Sequence, residues 1–148
     1  MGQTEKHTRI TNKIKVDVSV EDVWESWTKP EHIERWNQAS DDWHTLYSLN
    51  DLAEGERFLS RMESKDGSFG FDFAGTYTLI RPHQLLTFTL DDGRKVEVQF
   101  NELEDGTEII ENFDVDDQYS IEEQKKGWQA ILESFKKYTE TTFEFRRH

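Results

Sequence analysis

Hydrophobic and polar residues alternate near the start of the chain and then change to a helical period. Between residues 10 and 18, isoleucine and valine are separated by polar residues, which is the period of two expected of a half-buried strand. Ser19 and Asp22 are spaced as a helix capping box, and the apolar residues that follow recur at helical spacing. Pro30 suits the first turn of another helix. This opening predicts one strand followed by two short helices.

The segment from about Trp43 to Val115 is typical of strands joined by tight turns. Asp-Gly pairs at residues 66–67, 92–93 and 105–106 are each flanked by alternating segments, as in β-hairpins. Consecutive hairpins predict an antiparallel meander with one face turned to solvent. One strand is predicted to place five apolar side chains on the inner face: Phe69, Phe71, Phe73, Tyr77 and Leu79.

The last third of the chain carries the strongest helical pattern. Ser120 and Glu123 are spaced as a capping box, and one apolar stripe follows over about twenty residues. The stripe consists of Ile121, Trp128, Ile131, Leu132, Phe135 and Tyr138. This long helix is the natural partner for the apolar face of the sheet. We therefore predict a single α+β domain over residues 1–148, with an ordered core of about 8–142.

Several motifs resemble those of one protein superfamily. They include Val23-Trp24, Thr28-x-Pro30-Glu31-His32-Ile33, Trp36-Asn37, Ala39-Ser40-Asp41-Asp42-Trp43, Asn50-Asp51-Leu52-x-x-Gly55, Lys65-Asp66-Gly67-Ser68-Phe69-Gly70-Phe71-Asp72-Phe73, Gly75-x-Tyr77, Gly106-Thr107 and Gln124-x-x-Gly127-Trp128. With the order of elements, they resemble the START-like or Bet v 1-like (SRPBCC) superfamily. The similarity is to the bacterial branch related to the C-terminal domain of the activator of heat-shock-protein 90 ATPase. The resemblance implies a helix-grip fold, a curved antiparallel sheet with the long helix packed across it.

The resemblance implies binding of a small hydrophobic molecule, because such proteins hold lipids, sterols, flavonoids or polyketide intermediates between helix and sheet. A minority are cyclases or hydrolases, so a polyketide cyclase/dehydratase-like enzyme is one alternative. A chaperone-interaction module is another. It has weaker support, because the eukaryotic activator depends on an additional N-terminal domain and few residues precede the first strand here. No cofactor is expected.

A curved sheet does not contact a straight helix along its whole length, so large side chains either fill the gap or line a pocket. The predicted ligand-binding residues are Trp36, Trp43, Phe71, Phe73, Tyr77, Phe88, Phe100, Glu111, Phe113, Trp128, Leu132 and Phe135. Closure of an ordinary core by the same aromatics is the competing interpretation.

Glu111 is the one charged residue in that set, and it stands where relatives often have an apolar residue. Ile109 and Phe113 lie two positions away on either side, so alternation places Glu111 on the inner face with them. A carboxylate there is costly unless it is paired. It could accept a hydrogen bond from a ligand hydroxyl or act as a general base. A structural partner, or a bulge that turns it outward, would remove that role.

Charge and cysteine content exclude several function classes. The net charge of −13 disfavours nucleic acid and anionic membrane surfaces as partners. No apolar run is long enough for membrane insertion. The chain has no cysteine, which excludes disulfides and thiolate metal sites. His32 and the segment 40–44 match no compact metal motif, so no metal is expected. A cytoplasmic location is the expectation.

Overall fold

A computed structural model describes residues 8–143 of the chain. In this range the strands are β1 (Arg9–Val16), β2 (Trp43–Asn50), β3 (Arg57–Ser64), β4 (Gly70–Arg81), β5 (Leu85–Leu90), β6 (Lys95–Leu103) and β7 (Gly106–Asp114), and the helices are α1 (Val20–Thr28), α2 (Pro30–Trp36) and α3 (Ile121–Thr142). The predicted α+β class and order of elements are confirmed. Residues 1–7 and 144–148 lie outside the described range, so the single domain over 1–148 stays a prediction. None of the helices in the described range is long and apolar enough to cross a membrane.

The strands form one antiparallel sheet in the order β1-β7-β6-β5-β4-β3-β2. The three predicted Asp-Gly turns join β3 to β4, β5 to β6 and β6 to β7. Gly67 and Gly93 have φ angles of 77° and 95°, a region that glycine enters without steric cost. Pairing of β1 with β7 joins the first strand to the last, and α3 packs on the inner face.

Side chains from two helices cover the backbone edges of the sheet. On β1, the Lys125 amino group donates to the Thr11 carbonyl oxygen at 2.7 Å, and the Lys136 amino group donates to the Lys15 carbonyl oxygen at 2.6 Å. On β2, the Glu34 carboxylate of α2 accepts from the backbone N–H of Ser48 at 2.9 Å. These bonds satisfy groups through which an edge strand could pair with another chain.

Aromatic side chains fill the end of the sheet that lies under α1. Phe100 and Phe135 meet the Trp27 ring edge to face, with ring centroids 5.7 Å and 4.9 Å away. Leu132, Phe135 and Ile109 are fully buried. The space between helix and sheet is therefore closed at this end, as in an ordinary protein interior.

The prediction that Leu79 faces inward is wrong. The register between β4 and β5 shifts between Tyr77 and Leu79, so Thr78 is an extra residue on β4. Beyond this bulge the faces exchange, and Ile80, not Leu79, packs against the core. Phe69 is also misplaced by the prediction, because it precedes β4 and is 71% exposed.

The two predicted capping boxes have different outcomes. At α3 the Ser120 hydroxyl accepts from the Glu123 backbone N–H at 3.0 Å, and the Glu123 carboxylate accepts from the Ser120 N–H, as predicted. At α1 the N-cap residue is Ser19, but its side chain makes no capping hydrogen bond. The box predicted from Ser19 and Asp22 is therefore wrong.

Ser120→Ala is expected to lower the free energy of unfolding by about 1 kcal/mol, because it removes the acceptor for an otherwise unpaired helix N–H. Ser19→Ala is the matched control, since Ser19 occupies the same helix position without that bond. We expect a smaller loss there. Urea denaturation followed by circular dichroism measures both, and equal losses would contradict the assignment.

Candidate functional site

A cavity of about 410 Å³ lies between the sheet and α3, beside the filled end of the core. This volume is typical of small-molecule sites in proteins. Its apolar lining residues are Trp27, Ile33, Trp36, Phe58, Met62, Phe71, Phe73, Tyr77, Leu86, Phe88, Trp128 and Ile131. Its remaining lining residues are Asn37, Ser48, Asn50, Ser60, Arg94, Glu111, Asp116, Tyr119 and Gln124.

Small side chains on β2 and β3 leave this volume unfilled. Ser48 pairs with Ser60 in the sheet register, and Ser60 pairs with Phe73 on the next strand. The two serine hydroxyls lie 3.3 Å apart and share one hydrogen bond. Because the side chains at these two inward positions are short, they leave space that the surrounding aromatic rings do not fill. The cavity therefore depends on these two small side chains as well as on its aromatic walls.

The entrance lies between the start of β4 and the loop before α3. Phe71 and Tyr119 line the cavity and are also exposed, at 46% and 60%. The buried side chain of Gln124 holds the loop in place, because its amide donates to the Asp116 carbonyl oxygen at 2.8 Å and to the Tyr119 carbonyl oxygen at 3.0 Å. Its amide oxygen accepts from the Asp116 N–H at 2.7 Å. This wall is therefore fixed by hydrogen bonds.

A second group of polar residues in the lining is internally satisfied. The Tyr77 hydroxyl donates to Asn50 Oδ1 at 2.6 Å, and the Asn50 amide donates to the Thr28 carbonyl oxygen. Burial raises the pKa of Tyr77, so the phenol stays neutral. These groups shape the cavity without presenting an unpaired charge to it.

Glu111 has an unusual environment for a carboxyl group. It is 6% exposed and lines the cavity from β7, so the predicted inward orientation is confirmed. Its register partners are Val98 on β6 and Asn12 on β1, and its strand neighbours Ile109 and Phe113 are fully buried. Within residues 8–143 no group forms a hydrogen bond or ion pair with its carboxyl. Burial raises the pKa of Glu111 to about 8.

Comparison with known proteins identifies the family. The sequence profile of the family described as "Activator of Hsp90 ATPase homolog 1-like protein" matches residues 17–140. The chain belongs to this family. The helix-grip architecture expected from the sequence is thus supported by the fold and by the family assignment. No curated protein matches the chain significantly in sequence.

Solved structures of bacterial proteins show the same fold. An AHSA1-like protein from Aeromonas hydrophila is 42% identical, with a TM-score of 0.89 over 95% of this chain and 99% of its own. A protein from Cytophaga hutchinsonii is 44% identical, with a TM-score of 0.79 over 95% of this chain and 97% of its own. A more distant protein, from Nitrosomonas europaea, is 17% identical with a TM-score of 0.79 over 90% of this chain and 94% of its own, which shows the fold alone.

The structure separates the predicted site residues into two groups. Seven line the cavity: Trp36, Phe71, Phe73, Tyr77, Phe88, Glu111 and Trp128. Five do not: Trp43, Phe100, Phe113, Leu132 and Phe135. Trp43 packs on Phe71 near the entrance, and Phe113 stacks behind Trp128. The others belong to the filled end of the core.

Sequence reasoning missed several residues of the cavity. Phe58, Ser60 and Met62 alternate along β3, which was the available signal for that wall. Trp27 and Ile33 lie on α1 and α2, and the helical pattern of those two segments does not indicate a site. The loop residues Asp116 and Tyr119 gave no periodic signal, because their position depends on the tertiary contacts of Gln124.

Metal binding has no support among the residues that the structure describes. Over the part of the chain that the structure describes, no group of three or more His, Cys, Asp or Glu side chains could hold a metal ion. His32 instead shares a hydrogen bond of 2.6 Å with the Tyr138 hydroxyl. The site's chemistry is therefore that of aromatic surfaces, neutral polar groups and Glu111.

Proposed function

We propose that this protein binds one small, largely apolar molecule in the cavity between α3 and the sheet. The single observation that supports this most strongly is the 410 Å³ cavity, which is walled by aromatic rings and opens beside Phe71 and Tyr119. The family assignment is compatible with this role. Most polar groups of the lining already have protein partners, so an apolar ligand leaves them undisturbed.

Apolar contact alone supplies enough binding energy. Burial of apolar surface contributes about 25 cal/mol per Å², so a ligand that loses about 300 Å² to the walls gains several kcal/mol before entropy costs. Because a dissociation constant of 1 μM corresponds to about 8 kcal/mol and 1 mM to about 4 kcal/mol, this gain supports an affinity between those two values without any special chemistry. A function as carrier, sensor or scavenger of such a molecule is consistent with that affinity.

Ser60→Phe is the direct test, because it places a large ring into the space that Ser48 and Ser60 leave open. The probe is N-phenyl-1-naphthylamine, an uncharged aromatic dye whose fluorescence rises in apolar surroundings. We expect the wild-type protein to bind it and Ser60→Phe to weaken binding at least about ten-fold, equivalent to about 1.4 kcal/mol. Fluorescence titration measures both affinities.

Leu59→Phe is the matched control. Leu59 is the adjacent residue of β3 and lies on the opposite, outer face of the sheet. The same ring added there leaves the cavity unchanged, so wild-type affinity is expected. Equal weakening in both variants, or dye binding that Ser60→Phe leaves intact, would place the dye outside the cavity and defeat the proposal.

Native mass spectrometry of protein purified under mild conditions addresses the natural ligand. A co-purifying molecule would appear as a constant mass increment on the folded protein. The increment should be missing from Ser60→Phe prepared in the same way. An increment that persists in that variant would show that the molecule binds elsewhere.

A polyketide cyclase/dehydratase-like enzyme is the second candidate, and Glu111 is the observation that favours it. Its carboxyl faces an apolar cavity and holds its proton up to about pH 8, as a general acid does. Loss of turnover with retained binding in Glu111→Gln would support an enzyme. Ligand uptake without turnover by the wild-type protein would support a carrier.

A chaperone-interaction module is the third candidate, and it rests on the family description alone. A pull-down of purified heat-shock protein 90 with the full chain tests it. Binding that survives Ser60→Phe would show that a chaperone surface exists independently of the cavity. Failure of the two proteins to associate would remove this candidate.

A further inference from the structure

We propose that Glu111 selects the ligand by donating a hydrogen bond from its neutral carboxyl group, so that the molecule bound is uncharged and carries an acceptor such as a carbonyl oxygen. This inference rests on the proposed binding function and adds the ligand's chemical class. It also makes Glu111 the residue that determines specificity within an otherwise apolar site.

The first argument is the absence of a protein partner. Other polar side chains of the lining form hydrogen bonds within the protein: Tyr77 with Asn50, and Ser48 with Ser60. The carboxyl of Glu111, by contrast, forms no hydrogen bond or ion pair with any residue in the range 8–143. A buried polar group without a partner costs about 1–3 kcal/mol, and a ligand that satisfies it recovers part of that cost.

The second argument is the charge around the cavity. Besides Glu111, the charged residues in its lining are Arg94 and Asp116. The Arg94 guanidinium donates to the Asp92 carboxylate at 2.8 Å, and neither it nor any other described cation pairs with Glu111. Without a cation to stabilise the carboxylate, burial raises the pKa of Glu111 to about 8, which favours the protonated form at neutral pH.

The third argument comes from the neighbouring strand. Asn12 lies directly opposite Glu111 in the sheet register and is 2% exposed. Its amide nitrogen donates to the Lys125 carbonyl oxygen at 3.1 Å, whereas its Oδ1 atom has no partner among the described residues. The Asn12 amide nitrogen is thus directed to α3, and no hydrogen bond joins it to the Glu111 carboxyl. The neighbouring strand therefore supplies no donor that would stabilise the ionised form of Glu111, and burial favours the neutral form.

These features specify the ligand class. Carboxylate ligands such as fatty acids are disfavoured, because the cavity offers them no free cation and the protein carries a net charge of −13. Purely hydrocarbon ligands fit the walls but leave the Glu111 proton unpaired. An uncharged ring system with a carbonyl oxygen satisfies both the aromatic walls and the donor.

The test compares benzophenone with diphenylmethane, which differ only in a carbonyl oxygen against two hydrogens. Each competes with N-phenyl-1-naphthylamine for the full-length protein at pH 6.5, and the ratio of the two affinities is the measured quantity. Comparing this ratio between variants cancels the difference in hydrophobicity between the two molecules. We expect the ratio to fall about ten-fold in Glu111→Leu, which has no donor.

Glu111→Gln provides the rescue, because its amide also donates and carries no titrating proton. Its affinity ratio should stay close to that of the wild-type protein at pH 6.5. At pH 9.5 the wild-type ratio should fall about ten-fold as the carboxyl ionises, while the ratio of Glu111→Gln should not change. Near-ultraviolet circular dichroism at each pH confirms that the proteins compared are folded.

Two different failures are distinguishable. If the dye does not bind the wild-type protein, or if neither competitor displaces it, the proposed binding function is wrong. If both molecules bind but the affinity ratio is the same in wild type, Glu111→Leu and Glu111→Gln and at both pH values, the cavity stands and the role of Glu111 is overturned.

Discussion

Phe113→Ala should cost about 4 kcal/mol of the free energy of unfolding, a large part of the 5–15 kcal/mol that stabilises a typical domain. Phe113 is fully buried, and its ring stacks on Trp128 with centroids 3.8 Å apart and planes 9° from parallel. Truncation removes the ring's burial and leaves a hole behind the cavity wall. Urea unfolding at pH 7, followed by circular dichroism, measures the loss.

Phe69→Ala is the control for that measurement, since it makes the same chemical change at a phenylalanine that is 71% exposed. Its cost should stay within about 0.5 kcal/mol. Comparing Phe113→Ala with Phe69→Ala also tests whether the buried aromatic residues stabilise the fold while the exposed ones do not. A loss in Phe113→Ala no larger than that in Phe69→Ala would mean that the stacked pair does not support the wall.

The features predictable from sequence were those set by local rules. Alternation along β7 placed Glu111 on the inner face because that strand has no bulge, and the Asp-Gly pairs marked the hairpin turns. On β4 the same rule failed after Tyr77, because the extra residue Thr78 exchanges the two faces. Nothing in the local sequence distinguishes this bulge from a continuous strand.

The division between core and cavity depends on three-dimensional packing. Phe100 and Phe135 have the same apolar character as Phe73 and Phe88, yet the first two lie under Trp27 and the others face open space. Their roles follow from where α1 crosses the sheet. A search for large apolar residues also overlooks Ser60, whose small size helps to leave the cavity open.

Burial of an unpaired carboxyl makes the stability of this domain depend on pH. Folding raises the pKa of a buried acid. Each unit of that rise lowers the free energy of unfolding by about 1.36 kcal/mol at a pH where both the unfolded and the folded protein are ionised. The pKa of Glu111 rises from 4.5 to about 8 on burial, so the cost is small below pH 4.5 and complete above pH 8. Such a cost in stability is typical of residues retained for function.

Glu111→Gln should remove this dependence. Between about pH 5 and pH 8 the folded protein holds a proton that the unfolded chain has already released, so stability falls as the pH rises through that window. Relative to the wild-type protein, we expect Glu111→Gln to gain about 4 kcal/mol of unfolding free energy across that window. Urea unfolding at pH 5, 7 and 9 gives this difference, and titration of the other groups cancels between the two proteins.

Glu108→Gln is the matched control, because Glu108 lies on the same strand with its side chain on the opposite face, near the Asn101 amide. The free energy of unfolding of Glu108→Gln should differ from that of the wild-type protein by an amount that changes by no more than about 0.5 kcal/mol over the same pH range. Parallel pH profiles for wild type and Glu111→Gln would show that Glu111 finds a partner or solvent in the folded state. In that case the carboxyl is ionised at neutral pH, and its proton is not available to a ligand.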